Sequence, residues 1–477
     1  MKKKIVTLIV IAIVSEIVAI SGVFFVLYHF LNKGTVVNAV NVDTNSTNIL
    51  PAYNSIYGNR FLQPANKSLD NIFYNINAEI NIVKEKSLIQ RALIKETLYF
   101  TSSEYFTSSD KENSGTVFLY VPSLNSSTTN IKNISSNRGV LNFKIKGLML
   151  EIELGELLDN FLDSVTVEFE VLLNKNSGTI SYSSKHVYLT NFLITPVVLK
   201  NGEPVLAFKS SFGDPYMYNM NNYRISFLVD NDATIFAPGE KTEQQNDDGK
   251  KLVSFEAKQL RDFPAVVLID NQATNFIHDI QIEKVKNTEI YFINSRQAKT
   301  YVKEAFLFAY KNIGAYPYNK LFIVNADLSS ISLRGMEFSN MIFISDDCFN
   351  DKEQLKRITY HEIFHQWFYG IIGTDQINEP FLDEGLVNYL AMYLAGDKLG
   401  NTYDSDFLKK NLTSYASKKD YYDLAYDDAT VYFSNIHRQL GDNFFILLKT
   451  IYNDKKFSVL YYNEFMKYLA KFSQGGN

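Results

Sequence analysis

Two histidines four residues apart are the feature of this sequence best suited to chemistry. His361 and His365 are two of only six histidines in 477 residues, and they lie in a segment whose pattern predicts a helix. A spacing of four places both imidazoles on one helix face, one turn apart, where both can reach the same metal ion. Glu362 would then lie beside the open side of that metal. A chance HExxH on an amphipathic helix is the competing interpretation.

A glutamate beyond the next loop completes a possible set of ligands. Eighteen residues separate His365 from Glu384, which opens a second predicted helix, and the loop 370–380 is long enough to turn the chain back. Two histidines and one glutamate leave a fourth position open for water, as in catalytic rather than structural zinc sites. The single cysteine, Cys348, we interpret as a buried small hydrophobe. The pattern predicts one catalytic Zn²⁺ ion, with cobalt or manganese as alternatives.

The elements that must position these residues form a mixed α+β segment. After about residue 285, short strands alternate with helices whose apolar residues lie on one face. A helix between the first two strands ends at Gly314, and the later helices also end at glycines. The predicted elements are strands at Glu289–Ile293 and Leu321–Val324 and helices at Lys352–Tyr369, Leu382–Ala395 and Asp427–Leu440.

Upstream of this segment the sequence is typical of a β-rich domain. Between Ser68 and Asn271, short runs of β-branched and aromatic residues are separated by Gly, Asn, Asp and Ser. The polar stretch Lys241–Lys251 is predicted to be a hairpin or loop tip between two strands. The fold class is therefore α+β, with an all-β, sandwich-like domain over residues 68–284 followed by an α+β domain over residues 285–477.

The amino terminus carries a membrane signal. Three lysines precede an almost unbroken apolar run, Ile5–Leu31, which is longer than the ~30 Å hydrocarbon core requires. We expect residues 1–33 to be a cytoplasmic start and transmembrane anchor, with a signal peptide cut near Ser21 as the alternative, and residues 34–67 to be a polar tether. Because the lysines precede the span, we predict a single-pass protein of the cell membrane whose catalytic portion is extracellular.

Composition narrows the classes of protein further. Hydrophobic residues make up 46% of the chain and charged residues 21%, which is typical of a folded protein. The net charge is -5, and no long basic run follows the first four residues. Nucleic-acid binding is therefore not expected. The sequence leaves the oligomeric state unknown.

The residues around the predicted metal resemble the aminopeptidase N family of gluzincin zinc metallopeptidases. The eighteen-residue spacing to the glutamate is the signature of that family, and the likeness covers about residues 68–470. His361–Phe368 resembles its HExxHQWFG segment, Phe381–Gly385 its WLNEG segment and Arg334–Phe338 its GxMEN segment, and Tyr426 stands where the family has a catalytic tyrosine. Segments similar to the amino-terminal domain of the family are Phe212–Pro215, Asn222–Tyr223 and Arg261–Phe263.

This resemblance implies a thermolysin-like catalytic domain and a set of roles. The implied roles are zinc binding for His361, His365 and Glu384, general base for Glu362, and proton donation to the oxyanion for Tyr426. Tyr421, Tyr422 and Tyr432 are nearby alternatives to Tyr426. Asn388, one turn after Glu384, is expected either to orient that ligand or to be a plain surface residue.

The class of substrate depends on Glu337. In the family, the glutamate of GxMEN binds the free α-amino group and its strand pairs with the substrate backbone, so the resemblance implies substrate binding by Gly335, Met336 and Glu337. Arg334 replaces the first glycine of the motif and Phe338 replaces the asparagine, which leaves cleavage of internal bonds open. The alternative for Glu337 is a solvated carboxylate at a strand edge.

We therefore predict a membrane-anchored zinc metallopeptidase that releases N-terminal residues from peptides or protein termini. The alternatives are a zinc endopeptidase without N-terminal specificity and a catalytically silent, membrane-tethered binding module that keeps the fold. Family members commonly continue into a large helical domain, whereas this sequence stops about fifty residues after Tyr426. We accordingly expect a truncated form with a more open cleft. Side-chain preference and physiological substrate leave no mark in the sequence.

Overall fold

The computed structural model describes residues 74–473 with several gaps. The residues not described within this span are 86–87, 100–114, 122–128, 138, 156–163, 176–177, 201–202, 206, 208–211, 247–248, 270–276 and 329–330. The predicted anchor and tether, residues 1–33 and 34–67, lie outside the described part. Within that part, no helix has the length and apolarity needed to cross a bilayer.

Long, mostly antiparallel strands build the amino-terminal part of the chain. Its largest sheet has, within the described ranges, eight strands in the spatial order β17 (Glu240–Gln245), β18 (Lys250–Leu260), β15 (Asn221–Asp230), β1 (Tyr74–Glu85), β2 (Leu88–Tyr99), β8 (Ser164–Leu172), β4 (Thr129–Ser136) and β5 (Gly139–Val140). Buried and partly exposed residues alternate along β15 and β8. Successive side chains of a strand point to opposite faces, so one face of this sheet covers a core.

Two smaller sheets, of five and of four strands, pack on the same core. Among the described residues, the five-stranded sheet has the spatial order β16 (Ala233–Phe236), β19 (Ala265–Ile269), β11 (His186–Leu189), β10 (Ile180–Tyr182) and β9 (Asn174–Lys175). The four-stranded sheet has the order β12 (Thr195–Pro196), β3 (Gly115–Tyr120), β7 (Met149–Gly155) and β6 (Asn142–Lys146). A separate pair consists of β13 (Leu199–Lys200) and β14 (Glu203–Pro204). Phe227, Val117 and Val267 come from three different sheets and belong to one hydrophobic cluster. The prediction of a β-rich amino-terminal region is therefore confirmed.

The polar stretch Lys241–Lys251 lies in the hairpin formed by β17 and β18, so the prediction of a hairpin between two strands is confirmed. β17 pairs antiparallel with β18, from Glu240 opposite Glu256 to Gln245 opposite Lys251. All six residues of β17 are exposed, and the strand lies at the edge of its sheet. Charged and polar residues at an edge discourage pairing with other chains, which accounts for this composition.

The second part of the described chain is built around a five-stranded sheet. Its spatial order is β20 (Ile280–Val285), β21 (Thr288–Ile293), β22 (Lys320–Ala326), β24 (Met341–Ser345) and β23 (Gly335–Phe338). β20 pairs with β21 from Ile280 opposite Ile293 to Val285 opposite Thr288. The boundary predicted between residues 284 and 285 falls within β20, which pairs with β21, and the domain division stays a prediction. A hairpin belongs to the sheet it extends, which the composition of a single strand does not reveal.

Helices cover this sheet and carry the residues singled out by the sequence. The α-helices of the described part are α1 (Lys299–Asn312), α2 (Lys352–His365), α3 (Pro380–Ala395), α4 (Lys418–Tyr421), α5 (Ala429–Leu440), α6 (Asn443–Lys455) and α7 (Tyr462–Ser473), with a π-helix at Tyr422–Asp428 and a further strand pair, β25 (Gly373–Thr374) and β26 (Val459–Leu460). Phe364, Leu386 and Phe433 come from α2, α3 and α5 and pack in one buried cluster. The prediction of a mixed α+β segment with dominant helices is confirmed.

Three predicted helix bounds need small corrections. α2 ends at His365 instead of Tyr369, because the following turn tightens through a Trp367 N–H bond to the Phe364 carbonyl. α3 begins at Pro380, a residue whose fixed φ suits a first helical turn. Asp427 lies in the π-helix, and α5 begins only at Ala429.

Candidate metal centre

Three side-chain atoms converge between α2 and α3. The Nε2 atoms of His361 and His365 lie 3.0 Å apart, and Glu384 Oε2 lies 3.3 Å from each of them. Two ligands at about 2.0–2.2 Å from a tetrahedral zinc ion are themselves about 3.3–3.6 Å apart. Glu384 Oε2 is buried and, within the described part of the chain, accepts no well-aligned hydrogen bond. These three atoms, which we call the ligand triangle, therefore have the size and donor chemistry that zinc requires.

The other ring nitrogen of His365 fixes the orientation of this ligand. His365 Nδ1 lies 3.1 Å from the Phe368 carbonyl oxygen, so a proton on Nδ1 is donated to that carbonyl. The lone pair of Nε2 then faces the ligand triangle. Asp383 Oδ1 lies 3.5 Å from the same Nδ1 and Asp383 Oδ2 accepts a 2.9 Å hydrogen bond from Gln376. Asp383 thus supports the imidazole of His365, a role that the sequence did not suggest.

The surroundings of the ligand triangle favour a positive charge. Burial lowers the pKa of His361, which favours the neutral imidazole that binds metals. Burial also lowers the pKa of His365, but the carboxylates of Glu337 and Asp383 outweigh it and raise this pKa well above its ordinary value. Burial raises the pKa of Glu384, yet the two imidazoles lower it more strongly. Imidazoles among carboxylates bind a cation, whether a proton or a metal ion.

Glu362 lies beside the ligand triangle in a position suited to a base. Its carboxylate is buried, and its Oε2 has no hydrogen-bond partner among the described residues. Burial raises the pKa of Glu362 to about 8, with further contributions from nearby carboxylates including Glu384. A Cβ atom at Gly335 would lie only 2.1 Å from Glu362 Oε1. Glycine at position 335 therefore leaves the room that this carboxylate occupies.

Tyr426 approaches the ligand triangle from the π-helix Tyr422–Asp428. Its ring stacks on His361, with centroids 5.9 Å apart and planes inclined by 15°. Burial raises the pKa of Tyr426 well above its ordinary value, and the nearby Glu384 carboxylate raises it further. The hydroxyl is therefore protonated at neutral pH and can donate a hydrogen bond. Single π-turns often occur at functional sites, where they redirect a side chain.

The three alternative tyrosines have other surroundings. Tyr421 is buried at 2% exposure, and Tyr432 is hydrogen-bonded to Tyr462 through hydroxyl oxygens 3.0 Å apart. Tyr422 is exposed, and its ring lies 4.8 Å from that of Tyr426. Tyr426 is the one of the four whose ring stacks on a residue of the ligand triangle in the described structure.

Asn388 takes neither of the roles considered for it. It is partly buried, and its Nδ2 donates a 2.9 Å hydrogen bond to Thr430 Oγ1. The bond joins α3 to α5, so Asn388 fastens the helix that carries Glu384 without contacting the carboxylate in this way.

The segment Gly335–Phe338 forms strand β23, at the edge of the five-stranded sheet. Glu337 is only 5% exposed, and it shares a possible metal-binding cluster with His365 and Asp383. Burial raises the pKa of Glu337 well above its ordinary value. It is therefore a buried carboxylate beside the ligand triangle and not a solvated one at a strand edge. Met336, on the alternate face, packs against the cluster on the other side of the sheet.

The two departures from the GxMEN pattern lie outside the ligand triangle. Phe338 is fully buried, with its ring 5.1 Å from that of Phe343. Side chains at position 338 point into the core on the face opposite Glu337, so the phenylalanine does not reach the ligand triangle. Arg334 is exposed and precedes the strand, and its carbonyl accepts a 2.8 Å hydrogen bond from Ser345 N–H.

Asp214 is a site residue that the sequence did not identify. Its carboxyl group is within hydrogen-bonding reach of Glu337, and its Oδ2 lies 3.3 Å from Gln376 Nε2. Burial raises the pKa of Asp214 to about 7, and the carboxylates of Glu384 and Asp383 add to this effect. The available signal was an aspartate between Gly213 and Pro215 in a segment similar to the family. No sequence spacing connects position 214 with position 337.

Comparisons with known proteins agree with this geometry. A family described as "Peptidase family M1 domain" matches residues 298–474, which include the ligand triangle, Glu362 and Tyr426. No curated protein sequence matches the chain. A solved structure of aminopeptidase A from Legionella pneumophila in complex with aspartic acid is similar, with a TM-score of 0.60 and 14% identity over 86% of this chain and 48% of that chain. The chain thus spans about half the length of that protein.

These similarities confirm the family predicted from the motifs. The structural match, at its low identity, shows a shared fold, and the family match covers the part of the chain that holds the metal centre. Peptidases of family M1 are zinc-dependent. Residues 298–474 are therefore a peptidase domain of the aminopeptidase N-like gluzincin family.

Proposed function

We propose that this protein is a zinc aminopeptidase that releases N-terminal residues from peptides or protein termini. One observation carries the proposal. Two carboxyl groups, those of Glu337 and Asp214, lie together beside the ligand triangle, where they can bind a substrate amine at a fixed distance from the metal. An endopeptidase has no use for such a pair, because an internal residue has no ammonium group to bind.

His361, His365 and Glu384 would hold one zinc ion, as the separations of 3.0–3.3 Å between their donor atoms support. Bound there, zinc supplies a Lewis acid for the scissile carbonyl and lowers the pKa of a water molecule. Glu362 would take a proton from the attacking water and later give it to the leaving amine, a role that its buried carboxylate beside the ligand triangle supports. Tyr426 would donate a hydrogen bond to the carbonyl oxygen as negative charge develops on it.

The carboxyl groups of Glu337 and Asp214 would form the binding site for the positively charged substrate amine. A substrate ammonium placed between Glu337 and Asp214 would form charge-assisted hydrogen bonds, which are stronger than neutral ones. β23 is the outermost strand of the described sheet, so its outer edge can pair with the backbone of the substrate. The similar structure is named as an aminopeptidase and holds a free amino acid, which agrees with a site for an amine.

Finer features of the proposal rest on the sequence. We propose a sandwich-like amino-terminal domain, a thermolysin-like catalytic domain and a single zinc ion. The apolar run Ile5–Leu31 would anchor the chain in the cell membrane, with the catalytic portion extracellular. A peptide or protein amino terminus would be the partner, and no nucleic acid is expected.

Hydrolysis of one peptide series, free and N-acetylated, by the full chain in detergent tests the proposal. We expect release of the first residue from free peptides only, and a loss of about 10²–10⁴-fold in kcat for Glu362→Ala. Equal cleavage of acetylated peptides would replace the aminopeptidase by an endopeptidase. No cleavage of either series, with less than about half an equivalent of zinc bound, would favour the silent binding module.

A further inference from the structure

We propose that Gln366 and Asp262 are positioning residues that set the distance between Glu337 and the ligand triangle, and so select substrates with a free amine. The inference rests on the proposed function and deepens it. Both residues act on the two-residue turn Ser339–Asn340, which joins β23 to β24 and begins two positions after Glu337. Asn340 has a φ of 61°, which suits the tight hairpin turn formed there.

Gln366 joins this turn to the helix that carries the histidines. It follows His365 directly and is 1% exposed. Its Nε2 donates a 3.0 Å hydrogen bond to the Phe338 carbonyl, and its Oε1 accepts a 3.1 Å hydrogen bond from Asn340 N–H. Tyr316 holds the amide by donating to the same Oε1 at 3.1 Å. The amide of Gln366 thus forms hydrogen bonds with both sides of the turn. A shift of the turn relative to α2 would break both hydrogen bonds.

Asp262 holds the same turn from the β-rich part of the chain. It lies between β18 and β19 and is 2% exposed. Its Oδ1 accepts hydrogen bonds from Ser339 N–H at 2.8 Å and from the Tyr369 hydroxyl at 3.0 Å. Ser339 Oγ in turn accepts from the backbone N–H groups of Arg261 at 3.1 Å and Asp262 at 3.3 Å. The turn is therefore bonded from two sides.

The segment that follows α2 is held by Arg261 and Asp262. Tyr369 has a φ of 124°, a region that non-glycine residues rarely adopt and that persists only where neighbours enforce it. Its hydroxyl binds Asp262, and its carbonyl accepts a 2.5 Å hydrogen bond from Arg261 Nε. Arg261 and Asp262 consequently fasten both the turn behind Glu337 and the chain behind His365.

These contacts form a rigid connection between the amine site and the metal site. An exopeptidase must hold the ammonium and the scissile carbonyl of its substrate at once, and a misplacement of about 1 Å can cost about 10²-fold in rate. Gln366 and Asp262 supply the fixed distance without touching the substrate. Loosening them should weaken recognition of the amine while leaving the metal ligands in place.

Competitive inhibition by alanine hydroxamate and by its N-acetyl derivative separates the two sites. Both inhibitors bind the metal, but only the first offers an ammonium, so the ratio of their inhibition constants measures amine recognition. With the full zinc-loaded chain, we expect Gln366→Leu and Asp262→Leu to reduce the preference for the free amine by about tenfold or more. Zinc content and inhibition by the N-acetyl compound should stay unchanged. Asp262→Asn keeps an acceptor for Ser339 and Tyr369 and should retain the preference.

Ser295→Ala is the matched control, because it removes a buried 2.8 Å hydrogen bond from Ser295 Oγ to the Ile323 carbonyl elsewhere in the same sheet. If the leucine variants do not fold, Gln366→Met keeps the length of the side chain, adds no charge and removes both hydrogen bonds to the turn, and the same reduction is expected. An unchanged preference in these variants, or an equal loss in Ser295→Ala, overturns the positioning role. A wild-type protein that binds both inhibitors equally overturns the amine recognition itself, and with it this inference.

Discussion

At the scale of single residues, the chemistry depends on groups kept in unusual surroundings. Glu362 has no hydrogen-bond partner for Oε2 among the described residues, and burial raises its pKa to about 8. Tyr426 is stacked on His361 of the ligand triangle and keeps its proton. Groups whose pKa values are shifted by burial and by specific neighbours concentrate at catalytic sites, and here both lie beside the same ligand triangle.

Tyr426→Phe tests the hydroxyl without disturbing the ring. The stacking on His361 is retained, so zinc binding and KM should change little, while kcat should fall about 10²–10³-fold because one donor to the developing oxyanion is lost. Steady-state kinetics and zinc analysis measure both quantities. Tyr422→Phe is the control, since the exposed neighbour should tolerate the change. Equal effects of the two substitutions would assign the hydroxyl role elsewhere.

Gly335→Ala tests the space beside the base. The added methyl group would meet Glu362 Oε1 at 2.1 Å, so the carboxylate must move, and we expect a loss of at least about tenfold in kcat with zinc retained. Gly400→Ala adds a methyl group in open space and should leave kcat unchanged. Full activity of Gly335→Ala would show that Glu362 acts from another position.

At the scale of elements, local periodicity predicted which site residues share one helix face. The site residues that come from other elements are brought together by tertiary packing, which the periodicity does not reveal. The i and i+4 spacing of His361 and His365 predicted their shared face, since both belong to one helix. Asp214 and Asp262 come from the β-rich part, and only folding brings them to the site, so no spacing could identify them. Helix ends differed by a few residues, because the turn after His365 and the π-helix before α5 depend on packing.

Glu96 on β2 carries a pH-dependent prediction at this scale. Its side chain is fully buried, accepts a 2.9 Å hydrogen bond from Ile194 N–H, and has a pKa raised by burial well above the ordinary 4.5. Between 4.5 and that raised value the folded state binds more protons than the unfolded state, so the free energy of unfolding falls as pH rises. Glu96→Gln keeps an acceptor and should remove the contribution of Glu96 to this decline.

Urea unfolding at pH 5 and pH 8 checks this prediction. The variant should be more stable than the wild type at pH 8 and closer to it at pH 5. A difference between the two proteins that is the same at both pH values would contradict the assignment to Glu96.

At the scale of the whole molecule, metal binding and stability should be linked. The ligands come from two helices that pack in one core, so an ion bound there stabilises the folded chain alone. Removal of zinc with a chelator should lower the melting temperature and abolish activity. At a free zinc concentration about a thousand times Kd, the stabilisation is about 4 kcal/mol. Calorimetry before and after zinc is restored measures it, and identical melting with and without metal would rule out the site.

The hydrogen bonds of the Arg261 guanidinium have a consequence for the folding of the chain during its synthesis. Its acceptors include the carbonyls of Tyr218 at 2.7 Å and Ser458 at 2.7 Å, and Ser458 lies 197 positions after Arg261 along the chain. A buried donor without its acceptor costs about 1–3 kcal/mol. On the ribosome, Arg261 emerges long before Ser458 does, and its hydrogen bonds stay incomplete until the last helices are translated. The β-rich part therefore waits for nearly the entire peptidase domain before the two lock together, and the nascent enzyme acquires its geometry late.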